Sequence, residues 1–404
     1  MKSSKRFSFS RLTAIATLAS AVWIAAGSPP AVAQDAAAEP AAKTLATERT
    51  SGSLETVATF SGPMPTGVTV AEDGRIFVNY PRWGDDVPFT VGELKNGTVV
   101  PYPNAEINRP DASRPAGHFL SVQSVVADLN GHVWVLDTAA PKFAAPLKGG
   151  AKLVAIDLAR NRVVKTIVFP ADVMRADTYV NDVRFDFRIG KAGVAYVTDS
   201  SLSGVGGLIV VDLASGHAIR RLTGDVSTSA DPAFSPVVEG ESLRVRNADG
   251  TSKPFSVASD GIALSPDGQT LYYCPLSSRH LYSVPTSLLR DMSVTEAELA
   301  AAVKDLGEKG ASDGLAADAN GTIYAGDYER DAIRAWHPGG EWRTLVHDPR
   351  ILWPDTLAVG PDGYLYFTAN QLHRQAGFHA GTDQRQKPYA LFRVRVDAEP
   401  APTH

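Results

Sequence analysis

Six polar residues occupy matching places in the sequence, each just before a short apolar stretch. They are Thr66, Gln123, Asn181, Asp260, Asp313 and Asp355. If the three carboxylates and two amides of this set face the same space, they can hold a polar ligand or exchange protons with it. Crowded carboxylates repel each other, which raises their pKa values, and a bound cation removes the repulsion. A ligand set made only of oxygen atoms suits Ca²⁺ or Mg²⁺ better than a soft metal.

The elements that must position these residues form an internal repeat. The six polar residues follow one another at intervals of 57, 58, 79, 53 and 42 residues. In five repeats an Asp-Gly or Asn-Gly turn begins seven residues after the polar residue, which predicts a hairpin. In the third repeat the turn, Ala192-Gly193, comes eleven residues after Asn181. Third strands are predicted at 152–158, 207–213, 280–284, 332–336 and 390–397.

Six such units predict an all-β fold, a six-bladed β-propeller spanning 54–397 and closed by pairing of its N- and C-terminal strands. The last repeat lacks a fourth strand, and residues 54–60 are predicted to supply it. Closure removes exposed strand edges. Residues 398–404 are expected to form a tail. A capping box at Thr295 and Glu298 predicts a helix to about residue 304. The long insertion at 225–256 is interpreted as a lid.

The innermost strand of each blade lines the central channel, so the six leading residues are predicted to meet at one mouth. All six are therefore predicted to bind a small-molecule ligand. Asp260 and Asp313 are also predicted to be the catalytic residues that move a proton. The alternative is structural, because an Asp before Gly at the start of a strand can cap backbone N–H groups and bind nothing.

The N-terminus is interpreted as a signal peptide at 1–33, followed by a disordered leader at 34–53. Four basic residues precede an apolar stretch at 12–26, and Ala31-Val32-Ala33 offers a cleavage site before Gln34. The alternative is a membrane anchor, but the stretch is short for a bilayer span. We therefore expect a secreted or periplasmic protein with no membrane anchor after cleavage. The net charge of −5 and the lack of a later basic run exclude nucleic acid as a partner.

Four sequence blocks resemble the major royal jelly protein/Yellow family. They are 77–84 (Phe-Val-Asn-Tyr-Pro-Arg-Trp-Gly), 271–278, 353–356 (Trp-Pro-Asp-Thr) and 367–372. The likeness runs from about residue 54 to 396, and the chain looks like a bacterial member. It implies a secreted six-bladed propeller. Some members of that family bind small amines in the central cavity, and others have a dopachrome-converting activity. The insect members have cystines, whereas this chain has only Cys274.

A more distant likeness is to the gluconolactonase/regucalcin propellers, which hold a divalent cation in the channel. That likeness implies Asn181 and Asp260 as ligands of Ca²⁺ or another divalent cation. Thr66 stands where those propellers have a glutamate.

Two functions thus follow as hypotheses. One is a propeller that binds a small polar or aromatic ligand, with or without catalysis. The other is a cation-dependent lactonase or a dopachrome-tautomerase-like enzyme.

Overall fold

The computed structural model describes residues 49–404, which fold into six four-stranded antiparallel sheets and a few short helices. The predicted signal peptide and the predicted leader up to residue 48 lie outside the described residues. Within the rest of that predicted leader, Ser51 forms an isolated antiparallel bridge with His347. The last residues before the propeller are therefore paired with it.

The six sheets are the blades of a propeller, and each is a meander of neighbouring strands. Blade 6 contains β1 (Glu55–Phe60), the first strand of the described residues. Blade 1 contains β2 (Val68–Val70), β3 (Ile76–Asn79), β4 (Val91–Lys95) and β5 (Thr98–Pro101). Blade 2 contains β6 (Val122–Ala127), β7 (His132–Asp137), β8 (Lys152–Asp157) and β9 (Arg162–Val168). Blade 3 contains β10 (Val180–Asp186), β11 (Val194–Asp199), β12 (Gly207–Asp212) and β13 (Ala218–Arg221).

The insertion after blade 3 forms two small hairpins instead of a blade. They are β14 (Val237–Val238) with β15 (Glu241–Ser242), and β16 (Arg244–Arg246) with β17 (Ser252–Pro254). Blade 4 contains β18 (Ser259–Leu264), β19 (Thr270–Pro275), β20 (His280–Pro285) and β21 (Lys304–Glu308). Blade 5 contains β22 (Leu315–Ala317), β23 (Ile323–Asp327), β24 (Ala332–Trp336) and β25 (Arg343–His347). Blade 6 is completed by β26 (Pro354–Val359), β27 (Tyr364–Ala369) and β28 (Tyr389–Arg395).

The predicted closure of the ring is confirmed. Strand β1 pairs antiparallel with β28, from Glu55 opposite Arg393 to Phe60 opposite Tyr389, so the first strand is the outer strand of the last blade. The inner strands β2, β6, β10, β18, β22 and β26 contact their neighbours in that order, and β26 contacts β2. All-β architecture and the count of six blades are therefore as the repeat predicted.

The predicted hairpin turns are present, with one difference in their conformation. In the first, Gly74 N donates to Ala71 O at 2.9 Å, and Ala71 N donates to Arg75 O at 2.9 Å. Gly74 has φ +81°, whereas Asp73 is not left-handed. The loop is therefore a turn of three residues that ends in a left-handed glycine, rather than a two-residue turn with both residues left-handed.

Buried acids at the ends of second strands fix the starts of inner strands. Asp137, the last residue of β7, accepts from Leu120 N at 2.7 Å and Ser121 N at 2.9 Å. Asp199, the last residue of β11, accepts from Tyr179 N at 2.7 Å. These bonds satisfy backbone donors that no neighbouring strand pairs. They also hold the residues that precede Gln123 and Asn181 in place.

Three α-helices and three 3₁₀ helices lie between the strands. They are α1 (Ala105–Asn108), α2 (Thr286–Arg290), α3 (Glu296–Ala302) and the 3₁₀ turns Pro141–Phe143, Leu372–Arg374 and Ala376–Phe378. The predicted capping box at Thr295 is present, and α3 ends two residues before the predicted end because Lys304 begins β21. No helix of the described residues is long and apolar enough to cross a membrane.

The lower end of the channel is crossed by residues 398–404, which we call the C-terminal strap. From blade 6 the strap reaches blade 5, where Ala319 N donates to Glu399 O at 2.9 Å. It then reaches blades 2 and 3, since the Thr403 hydroxyl donates to Asp128 O at 2.6 Å and Phe187 N donates to Thr403 O at 2.7 Å. The residues predicted as a tail thus join blade 6 to its neighbour blade 5 and to blades 2 and 3, which are not its neighbours.

Candidate functional site

The site lies at the upper mouth of the channel, where the inner strands begin. Four inner strands have an irregular register at their first residues, between Val122 and Ser124, Val180 and Val183, Ser259 and Ile262, and Pro354 and Leu357. A β-bulge of this kind turns a side chain away from the regular alternation of a strand. In each case the predicted polar residue lies within the irregular stretch.

Five of the six predicted residues line one cavity of about 810 Å³. They are Gln123, Asn181, Asp260, Asp313 and Asp355. They follow the ring in order, with the two amides on blades 2 and 3 and the three carboxylates at the starts of blades 4, 5 and 6. The floor of the cavity therefore has an amide half and an acidic half.

Thr66 is not among the residues that line the cavity. It is fully buried, and its hydroxyl accepts a hydrogen bond from Asn79 Nδ2 at 2.8 Å. The same Asn79 amide donates to the backbone oxygens of Val122 and Gln123. The structure therefore places Thr66 in the joint between blades 1 and 2, and its predicted ligand contact is not seen among the cavity-lining residues.

Asp260 is buried and has a single neutral donor. The Ser200 hydroxyl contacts Asp260 Oδ2 and Ser259 O, both at 2.8 Å. Burial, together with the nearby negative charge of Asp313, raises the pKa of Asp260 well above its usual range. Interaction with Asp313 raises the pKa of Asp260, while interaction with Asp260 lowers the pKa of Asp313, so Asp260 is the weaker acid of the two.

Asp313 is held by an aromatic stack. Trp353 Nε1 donates to Asp313 Oδ2 at 2.8 Å. The fully buried indole is stacked on Tyr328, with centroids 4.0 Å apart and planes at 11°, and His373 lies on Trp353 at 5.9 Å and 22°. Burial raises the pKa of Asp313 to about 6, while hydrogen bonds from Trp353 and Asp260 lower it. Asp313 therefore titrates close to neutral pH.

Asp355 completes the acidic half. Asn370 Nδ2 donates to Asp355 Oδ2 at 2.6 Å and to Pro65 O at 3.0 Å, which ties blade 6 to the chain before blade 1. Burial, followed by the charge of Asp313, raises the pKa of Asp355 well above its usual range.

The amide half contains a fixed chain of hydrogen bonds. Trp83 Nε1 donates to the Tyr179 hydroxyl oxygen at 2.6 Å, and the Tyr179 hydroxyl donates to Gln123 Oε1 at 2.9 Å. Within the described part of the chain, the Asn181 side chain and Gln123 Nε2 have no hydrogen-bond partner. These two buried amides therefore have hydrogen-bonding capacity left for a ligand.

The walls of the cavity are largely aromatic and apolar. Phe143 is stacked on Trp83, with centroids 5.0 Å apart, and it is 40% exposed at the rim. The insertion contributes Phe255, which packs edge-on against Phe378 at 5.6 Å and Trp353 at 6.1 Å. The segment interpreted as a lid from the sequence thus forms part of the wall, through Asp231, Pro232, its second hairpin and the residues after that hairpin.

The donor set fits a divalent cation poorly. No group of three or more His, Cys, Asp and Glu side chains in residues 49–404 is arranged to hold a metal ion. The Thr66 hydroxyl already accepts a hydrogen bond from Asn79 Nδ2. Each of the three carboxylates accepts a hydrogen bond from a protein donor, and burial raises the pKa values of all three. Cation binding by Asn181 and Asp260 stays a prediction, and no chemical step is derived from it.

Three residues of the site could not be found from the repeat. Ser200, Trp353 and Asn370 supply the donors to the three carboxylates, and none of them leads an inner strand. The signal that could have found two of them is their place in the sequence blocks 353–356 and 367–372. Ser200 directly follows the buried Asp199 at the end of β11, which is a pattern without a specific chemical meaning.

The sequence of this chain is similar to a known protein family and to several of its members. The family model described as "Major royal jelly protein" matches residues 120–401. Major royal jelly protein 7 of Apis mellifera is 27% identical over 228 residues, which are 52% of this chain and 46% of that protein. Dopaminechrome tautomerase of Drosophila melanogaster is 23% identical over 338 residues, which are 76% of this chain and 70% of that protein. The chain thus spans about half the length of several relatives that it matches.

Solved structures show the same fold at low identity. A luciferin-regenerating enzyme matches with a TM-score of 0.52 and 11% identity, covering 87% of this chain and 97% of that one. A structure described as a "putative gluconolactonase" matches with a TM-score of 0.52 and 12% identity, covering 86% of this chain and 93% of that one. At such identities the likeness shows the propeller fold alone.

Proposed function

The chain belongs to the major royal jelly protein family, and on that premise we propose that it binds a small aromatic amine in the cavity. The ring of the ligand lies between the aromatic walls, and its ammonium group faces Asp260, Asp313 and Asp355. One observation carries the proposal: three buried carboxylates with raised pKa values lie together at the floor of a cavity with aromatic walls.

The charge balance of the floor supports a cationic ligand. Among the described residues that line the cavity, only Lys253 has a basic side chain, and it lies exposed on the insertion. Burial and mutual repulsion therefore raise the pKa values of the three carboxyl groups, and Asp313, with a pKa of about 6, ionises first. An ammonium group that replaces their protons offsets the cost of ionising them, and it gains charge-assisted hydrogen bonds.

The walls support an aromatic ligand. Trp83, Phe143 and Tyr179 form one group of rings, with Phe143 and Tyr179 centroids 5.4 Å apart. Phe255 and Phe378 form a second group across the cavity. Aromatic faces attract a ring by stacking and a cation by its charge. A volume of about 810 Å³ accepts a ligand of this size with room for substituents.

Calorimetric titration of the full chain tests the proposal with a matched pair of ligands. Tyramine carries an ammonium group, and 4-ethylphenol has the same ring and side-chain length without it. We expect tyramine to bind at least about tenfold more tightly, the equivalent of one charge-assisted hydrogen bond. Equal affinity for the two ligands, or no binding of either, would refute an amine site.

Proton transfer is the second candidate function, and the Asp260–Asp313 pair favours it. One neutral and one ionisable carboxyl in contact can give a proton to a carbonyl oxygen and take one from a carbon or nitrogen of the same molecule. Such a tautomerisation needs no oxidant. A relative with 70% of its length aligned is a dopaminechrome tautomerase, which supports testing an aminochrome as substrate.

Absorbance spectroscopy of an aminochrome in the presence of the protein tests this second candidate. We expect the wild-type chain to speed the decay of the chromophore and the Asp313→Asn variant to lose most of that effect. The Ser203→Ala variant changes another cavity-lining side chain outside the carboxyl pair and serves as the control. If the chromophore decays no faster with the wild-type protein than in buffer alone, this activity is refuted and ligand binding remains as the proposed function.

Export from the cytoplasm belongs to the same proposal and depends on residues 1–33. N-terminal sequencing of the protein from its native host tests it, with cleavage before Gln34 as the expected result. An intact N-terminus on a protein found in the cytoplasm would contradict export.

A further inference from the structure

The two amides of the cavity floor bear on ligand choice, and the proposed amine site does not use them. Gln123 and Asn181 are 6% and 7% exposed. Both line the cavity, on the side facing the acidic half. A buried amide without a partner costs free energy, so a ligand that satisfies it gains affinity.

The orientation of the Gln123 amide follows from its neighbours. An indole N–H can only donate, so the Tyr179 oxygen accepts from Trp83 and the Tyr179 O–H donates onward. The acceptor is Gln123 Oε1 at 2.9 Å. Burial raises the pKa of Tyr179, which keeps its proton in place. Because Gln123 Oε1 already accepts a hydrogen bond, the Gln123 Nε2 group remains for a ligand, and this group is a donor.

We propose that Gln123 is a specificity-determining residue whose Nε2–H₂ selects aromatic amines that also carry a neutral carbonyl oxygen. This inference rests on the proposed amine site and narrows its ligand class. The ammonium group faces blades 4 to 6, while the carbonyl oxygen accepts from Gln123 on blade 2. A neutral carbonyl fits better than a carboxylate, because Asp260, Asp313 and Asp355 share the floor and would repel a second negative charge.

Three ligands with one ring separate this inference from the amine site itself. Tyramine has the ammonium group alone, α-methyltyramine adds an apolar group of limited size, and tyrosinamide adds a neutral carbonyl at the same carbon. Calorimetry with the wild-type chain is expected to give tyrosinamide about tenfold higher affinity than either amine, as one added hydrogen bond supplies. Binding of all three with equal affinity would overturn the inference and leave the amine site standing. Failure of all three to bind would refute both.

Two variants assign the preference to Gln123. In Gln123→Met, which keeps the length of the side chain and removes the donor, the affinity ratio of tyrosinamide to α-methyltyramine is expected to fall to about one. In Tyr179→Phe the amide loses the hydroxyl that orients it, so the ratio is expected to fall part of the way. The matched control is Gln375→Met, at a second glutamine that lines the cavity outside this hydrogen-bond chain.

The outcomes of these variants are decisive in either direction. A preserved ratio in Gln375→Met with a lost ratio in Gln123→Met supports the inference. An unchanged ratio in Gln123→Met, or a loss in Gln375→Met alone, overturns it. Circular dichroism and urea unfolding of each variant show whether the propeller is intact, and Tyr179→Phe carries the test if Gln123→Met is unfolded.

Discussion

Replacing Asp313 by asparagine is expected to remove a pH dependence from the stability of the propeller. The pKa of Asp313 is raised from 3.8 to about 6 by burial. A group with a raised pKa in the folded state stabilises the fold when protonated, and that stabilisation is lost as the pH rises through the folded-state pKa. The shift of about two units corresponds to about 3 kcal/mol in total.

Only part of this loss of stability falls within the pH range in which unfolding is convenient to measure. Between about pH 5 and about pH 7.5 the folded carboxyl ionises while the unfolded one is already ionised, so the free energy of unfolding falls by about 1 kcal/mol. Asparagine imitates the protonated carboxyl. It can accept from Trp353 Nε1, as Asp313 Oδ2 does, and it has no proton to lose as the pH rises. We therefore expect the variant to be more stable than the wild type at the higher pH.

Urea unfolding at the two pH values measures the effect as a difference between the two proteins. The difference is needed because burial lowers the pKa of His373, which contributes with the opposite sign in the same range. Burial also raises the pKa values of Asp260 and Asp355, whose protons are linked to the charge of Asp313. If the variant keeps the wild-type slope, or is destabilised equally at both pH values, then Asp313 is not the titrating group and the reasoning fails.

Four further results are expected. Asn370→Ala removes donors to Pro65 O and Asp355 Oδ2, so urea unfolding should show a loss of about 2 kcal/mol, and an unchanged midpoint would count against the joint between blades 6 and 1. Thr295→Ala removes the cap of α3 and should cost about 1 kcal/mol in the same assay, with an effect near zero as the contrary result. EDTA followed by Ca²⁺ should leave the thermal midpoint unchanged, because the donor set fits a cation poorly, whereas a rise that depends on Ca²⁺ would establish a cation site. Deletion of residues 399–404 should speed hydrogen exchange at the Phe187 amide, which donates to Thr403 O, and equal exchange in both proteins would show that the strap does not protect it.

The fold was accessible from the sequence because its determinants are local. The Asp-Gly and Asn-Gly turns and the constant interval before them specify hairpins, and six hairpins in series specify the ring. The strand 54–60 was accessible because blade 6 lacked a partner for β28. The end of α3 was misplaced by two residues, since the backbone pairing of Lys304 with Ser283 is set by blade 4 rather than by helix propensity.

The site was accessible only in part, for a physical reason. Gln123, Asn181, Asp260, Asp313 and Asp355 share a repeat position, so symmetry alone brings them together. Thr66 shares that position too, but Asn79 on the next strand engages its hydroxyl. The donors Ser200 and Trp353 belong to blades other than those of the acids they hold. Contacts of that kind depend on three-dimensional packing and leave no periodic signal.

The C-terminal strap decides whether the central channel is open at both ends. Arg184, on the inner strand of blade 3, donates to Leu315 O on blade 5 and forms an ion pair with Asp182, so it bridges the channel above the strap. Only about 100 Å³ is enclosed between the inner strands and the strap. The propeller is therefore a blind well rather than a tunnel. A guest that enters past Phe143 can therefore leave only by the same rim.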